Sequence, residues 1–189
     1  MSSIEDLIKA ASHDMYNPAL NFDIAKKYEE LNQTASAVSF YLRTAEYGYE
    51  SHPLLAYSSL LKMSVCFDDQ KDRTHTVSNC ILQAISHIPT RPEGYFFLSR
   101  FHERAGEWQE CYTFAQLGLT FSKLEMEPLP VDVGYNGEYV LLFEKAVSAW
   151  WIGRKDESAE IFKQLDAMDI TPEYKASVQS NLARINVAV

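Results

Sequence analysis

The sequence predicts an all-α chain, an α-α superhelix of about four antiparallel helix pairs closed by a C-terminal capping helix. Three observations carry this expectation. Apolar residues recur at i, i+3, i+4 and i+7 along most of the 189 residues, the spacing of a helix with one buried face. No stretch sustains the strict apolar–polar alternation of a half-buried strand. Pro18, Pro53, Pro92, Pro130 and Pro172 follow one another at intervals of 35, 39, 38 and 42 residues, within the range of helical repeats.

The elements follow in order. The opening "MSSIEDLIKAASHDMY" puts Ile4, Leu7, Ile8 and Ala11 on one face of a short helix. It lacks the cationic start and apolar run of a signal peptide. Proline suits the first turn of a helix, where its missing N–H has no partner to lose. Asn17 and Thr171 are good N-caps for the helices that their prolines open. The prolines thus divide one domain, residues 1–189, into units at about 17–50, 52–89, 91–123 and 137–169, with a cap at 171–187. The second unit is the longest variant, with helices near Pro53–Phe67 and Lys71–Ile88 around the polar "DDQKD". Pro130 is the exception, because "LEMEPLPVDVGYNGE" is too rich in Pro and Gly to open a helix before Gly137. Tyr174, Val178, Leu182 and Ile185 share the inward face of the closing helix.

Within the third unit, Leu98, Ser99, His102, Gly106, Cys111, Ala115 and Gly118 alternate bulky, small and turn-forming residues. The small ones let two helices approach closely, and Gly106 turns the chain between them. Ala25, Tyr28, Ala37 and Tyr41 repeat this grammar in the first unit, and Ala146, Ala149, Gly153 and Ala159 in the fourth, with one extra residue after the turn. The pattern resembles the tetratricopeptide repeat. Across roughly the last 100 residues the chain also looks like the helical-repeat segment found beside family-2 glycosyltransferase domains. That likeness rests on Arg91-Pro92-Glu93, the aromatic run Tyr95 to Phe101, Gly106, Tyr135 and Trp150-Trp151-Ile152-Gly153. It implies a helical-repeat module accessory to glycan transfer. The chain departs from those proteins in having no nucleotide-sugar domain, and Asp68-Asp69 lacks the strand context of a metal-binding Asp-x-Asp motif.

Composition excludes several classes. A net charge of −9 repels phosphate backbones and anionic lipid, so neither nucleic acid nor membrane is an expected partner. No window approaches the roughly 18 apolar residues of a membrane helix. Cys66, Cys80 and Cys111 are odd in number, have no C-x-x-C spacing and fall in apolar helical patterns, which suits small hydrophobes in a reducing, cytoplasmic compartment. "His102-Glu103-Arg104-Ala105-Gly106" begins like the zinc-protease motif H-E-x-x-H, but Gly106 removes the second ligand. His102 is therefore expected to be packed or hydrogen-bonded, with no metal, and His13, His52, His75 and His87 to be solvated. No G-x-S-x-G elbow or phosphate-binding glycine pattern is present, so neither catalysis nor a cofactor is expected.

Surface remains as the working feature. Stacked helix pairs expose an inner face formed mainly by the first helix of each pair. On it the expected binding residues are Tyr95, Arg100, Glu103 and Arg104, with Lys26 in the first unit and Tyr139, Phe143 and Trp150 in the fourth. The same aromatic spacing equally fits a core. Trp108, just after the Gly106 turn, is expected to anchor the second helix of its pair. The Lys and Asn array with which tetratricopeptide repeats clamp a peptide carboxylate is absent at the matching positions. The leading expectation is a non-catalytic module that binds a protein or peptide. The alternative is an assembly subunit that stacks on copies of itself or on a larger particle, and an enzyme, which a tight cluster of ionisable groups in a closed pocket would indicate, comes third.

Overall fold

A computed structural model describes residues 3–187. Among these residues there are ten helices and no strand. They are α1 (Ile4–Ala11), α2 (Pro18–Glu30), α3 (Thr34–Tyr47), α4 (Pro53–Asp69), α5 (Thr74–His87), α6 (Pro92–Ala105), α7 (Trp108–Leu119), α8 (Glu138–Trp151), α9 (Lys155–Ala167) and α10 (Pro172–Val187). The all-α class is therefore the one the periodicity predicts. Pro18, Pro53, Pro92 and Pro172 each open a helix, while Pro130 lies in the irregular segment before α8. The Asn17 side chain accepts from Leu20 N at 3.1 Å and so satisfies one of the free amides of α2.

The chain forms two compact units, Met1–Thr90 with Met126–Val133, and Arg91–Glu125 with Gly134–Val189. In the first, Phe22, Ala25, Ala37, Tyr41, Met63, Cys66 and Cys80 form the core, and Val131 of the irregular segment packs against it. At its margin the half-buried Glu29 accepts from the Tyr41 hydroxyl at 2.5 Å and from Lys62 Nζ at 2.7 Å. In the second, Val140, Leu141, Ala146, Phe162, Leu165 and Val178 lie at the centre of a continuous core. Tyr174 and Leu182 of α10 pack on that core beside buried Val178 and Ile185, so the closing helix covers it with the face expected of it.

The α6–α7 pair shows how its sequence dictates close packing. Gly106 takes φ 73°, where a side chain would be strained, and the Glu107 amide returns to the His102 carbonyl at 2.9 Å to finish α6. Ala115 and Cys111 are fully buried along α7. At Gly118 the helices approach so closely that a Cβ would lie 2.9 Å from both Tyr95 Cβ and Leu141 Cδ2. Gly118→Ala is accordingly expected to destabilise the protein by about 1–3 kcal/mol despite its better helix propensity. Urea denaturation with an unchanged or raised midpoint would show that the contact relaxes freely.

Candidate functional site

In the second unit α8 and α10 supply most of the wall of a groove of about 750 Å³, which Glu103 of α6, Trp108 of α7 and Phe162 of α9 complete. Its floor is aromatic, with Phe143, Trp150 and Phe162. One rim carries Trp108 stacked on Trp151, ring centres 5.2 Å apart and planes 15° from parallel. Trp151 remains 61% exposed, an unusual position for so large an apolar ring. The opposite rim, on α10, is polar, with Ser177, Ser180, Asn181 and Arg184. Spacing explains the arrangement: Phe143, Val147, Trp150 and Trp151 recur at helical intervals on α8, as Ser177, Asn181 and Arg184 do on α10.

A second cavity of about 260 Å³ shares Glu103, Phe143 and Ser177 with this groove and adds Arg100, Glu144, Glu173 and Tyr174. Glu144 is the unusual member. Only 3% of it is exposed, its Oε1 lies 3.6 Å from Arg100 Nε, and its Oε2 has no hydrogen-bond partner among the described residues. Burial pushes its carboxyl up to about 7, with Glu103 raising it further and Arg100 and Arg104 opposing. Arg100 is half-exposed, so water shares its charge and the pair compensates the buried carboxylate only in part. Tyr174 stands edge-on to both Phe143 and Tyr139, at 5.2 Å in each case. Burial raises its hydroxyl above the usual range, with Arg100 opposing.

The structure distributes the expected binding residues unevenly. Arg100 and Glu103 line the smaller cavity, and Trp150 and Glu103 line the groove. Arg104 is exposed near the end of α6. Tyr139 is buried behind Tyr174 with its hydroxyl unsatisfied. Tyr95 lines neither cavity: it is 8% exposed and packs against α7, stacked on Phe121 at 5.6 Å. Lys26 belongs to the first unit, where it pairs with Asp23 at 3.0 Å and lies over Phe22. Trp108 departs from the expected core anchor, since it is half-buried and lines the groove. Sequence reasoning missed Glu144, whose signal was a carboxylate inside the apolar run "YVLLFEKAV".

The other candidate chemistry is structural. His102 Nδ1 lies 2.6 Å from Glu107 Oε2, and its ring stacks on Phe114 at 5.3 Å. His87 differs from the solvated expectation: it is half-buried, 4.1 Å from the Tyr49 ring centre, with Nε2 3.2 Å from the Pro53 carbonyl. All three cysteines are buried and unbridged, and burial pushes the Cys66 thiol up to about 11 and Cys111 to about 12. Both remain thiols at neutral pH, which suits packing and not nucleophilic attack. Among the described residues no group of three or more His, Cys, Asp and Glu is placed to hold a metal. Nor is any helix among them long and apolar enough to cross a membrane.

No protein-family model matches the chain, and no curated protein matches it. Solved structures do. YrrB, described as "a TPR protein with an unusual peptide-binding site", matches with a TM-score of 0.70 at 12% identity, over 98% of this chain and 84% of that one. PilW, a type IV pilus biogenesis factor, matches at 0.68 and 15% identity over 93% and 73%. MamA matches at 0.64 and 12% identity over 96% and 89%. The fold is that of tetratricopeptide-repeat proteins. At these identities the likeness extends to the fold alone.

Proposed function

We propose that this chain is a non-catalytic helical-repeat module that binds a peptide segment of another protein in the groove walled mainly by α8 and α10. The observation that carries the reading is the stack of half-buried Trp108 on exposed Trp151 at the rim of a 750 Å³ groove that continues into the cavity beside Glu144. Large rings in a concave site offer contact area with little side-chain entropy to lose, which is where binding energy concentrates. The fold shared with YrrB, a protein described by its peptide-binding site, supports the class. A place beside a glycan-transfer system rests on the sequence motifs from Arg91 to Gly153 alone.

All three tryptophans of the chain line the groove, so their emission reports its occupancy. Peptides selected from a random displayed library against the protein are expected to shift that emission on binding. Trp151→Ala is expected to weaken them about tenfold or more, with little loss of thermal stability because the ring is mostly exposed. Selected peptides that bind Trp151→Ala as tightly as wild type would move the working surface elsewhere. Self-association in sedimentation, abolished by Trp151→Ala, would favour the assembly-subunit alternative.

A further inference from the structure

We infer that the groove selects partners bearing a lysine or arginine side chain, which enters the 260 Å³ cavity and donates to Glu144 Oε2, while a neighbouring apolar residue rests on the Trp108–Trp151 stack. The inference rests on the reading of the groove as a peptide site and names what that site recognises. A buried carboxylate oxygen without a donor is costly, and native structures rarely leave one unexplained. Among the described residues, none donates a hydrogen bond to Glu144 Oε2. Around it, from α6 come Arg100, near Oε1 only, with Glu103 and Arg104; from α7, Cys111 gives its thiol to the Glu144 main-chain carbonyl at 3.8 Å; from α10 come Glu173, Tyr174 and Ser177, whose hydroxyl donates to the Glu173 carbonyl at 3.0 Å. The missing partner is thus a donor that arrives through the cavity.

Charge makes that donor a cation. Glu103, Glu144 and Glu173 line the cavity with Arg100, Arg104 adds a second positive charge nearby, and the whole chain carries −9, so the balance around the cavity stays negative and an anionic group would be repelled. Arg100 is 47% exposed, and water and salt screen its repulsion of an incoming ammonium or guanidinium. The walls suit an organic cation. Phe143 and Tyr174, nearly perpendicular at 5.2 Å, offer ring surface to the methylene stem and to the charge behind it. The groove proper, which begins at the shared residues Glu103, Phe143 and Ser177, then receives an apolar neighbour of the basic residue.

The test is a positional peptide library, Ac-X-X-X-Z-X-X-X-amide with Z fixed in turn as each amino acid, applied to the full chain. With wild type, Lys or Arg at Z should be preferred over Gln or Glu by about ten- to hundredfold, the range of one hydrogen bond between charged groups. In Glu144→Gln that preference should vanish while selection for an apolar neighbour persists. A wild-type measurement requires no variant: the best basic peptide should bind about tenfold or more weakly at pH 5.5 than at pH 8. Lys and Arg stay protonated across that window, and among the described residues no histidine lines either cavity. Peptides selected with no basic preference, or with one that survives Glu144→Gln or is the same at both pH values, would overturn the inference and leave the peptide site standing. Enrichment of no peptide at all would overturn both.

Discussion

Phe162→Ala lowers the unfolding free energy by about 3–5 kcal/mol, the cost of a fully buried ring plus the cavity it leaves. Phe162 is 1% exposed on α9 and stands edge-on to Phe143 at 5.8 Å, in the core to which α8 and α10 contribute. Against a typical total of about 5–15 kcal/mol the loss is large. Because Trp108, Trp150 and Trp151 all belong to the second unit, their emission in a urea titration reports that unit. Its midpoint should fall, and the groove beneath Phe143 should loosen with it. A midpoint within error of wild type would mean that the ring is not the packed centre its burial indicates.

Glu144→Gln works in the opposite direction and depends on pH. Burial holds the folded carboxyl at about 7, whereas in the unfolded chain it titrates near 4.3. Between these values the folded state retains a proton that the unfolded state has released, so stability falls as pH rises through the window. Below it both states are protonated and the penalty is absent; above about 7 it approaches its full size, about 3–4 kcal/mol. The amide keeps the shape without the charge, and the partner left behind, Arg100, is half-exposed and hydrated. The variant should therefore be more stable than wild type at pH 8, by about 3–4 kcal/mol, and equal to it at pH 3. Denaturant titrations at the two pH values measure the difference. A variant less stable than wild type at pH 8 would mean that the Arg100 pair outweighs the burial of the charge. A carboxylate whose removal stabilises the fold is one that folding does not require.

Much of the fold was legible because its rules are local. Proline at N1 announces α2, α4, α6 and α10, and the same residue at 130 announces nothing because Pro128, Gly134 and Gly137 surround it. Gly106 as turn and Ala115 and Gly118 as contact positions followed from size and backbone freedom. The site was less legible, because periodicity identifies an apolar stripe without saying which flank meets a neighbouring helix and which stays open. Tyr95 and Trp108 differ in this respect: Tyr95 packs against Gly118 and Phe121 of the same pair, whereas Trp108 finds its partner in Trp151 on α8. Glu144 and Arg100 come together from α8 and α6, 44 residues apart, a juxtaposition that only packing creates.

Hydrogen–deuterium exchange of the full chain, with and without a library-selected peptide, tests the central claim most directly. Binding in the groove predicts added protection confined to the segments around Arg100–Arg104, Phe143–Trp151 and Glu173–Arg184. Protection that falls instead on α2 to α5, or on the irregular segment between α7 and α8, with those three unchanged, would contradict it.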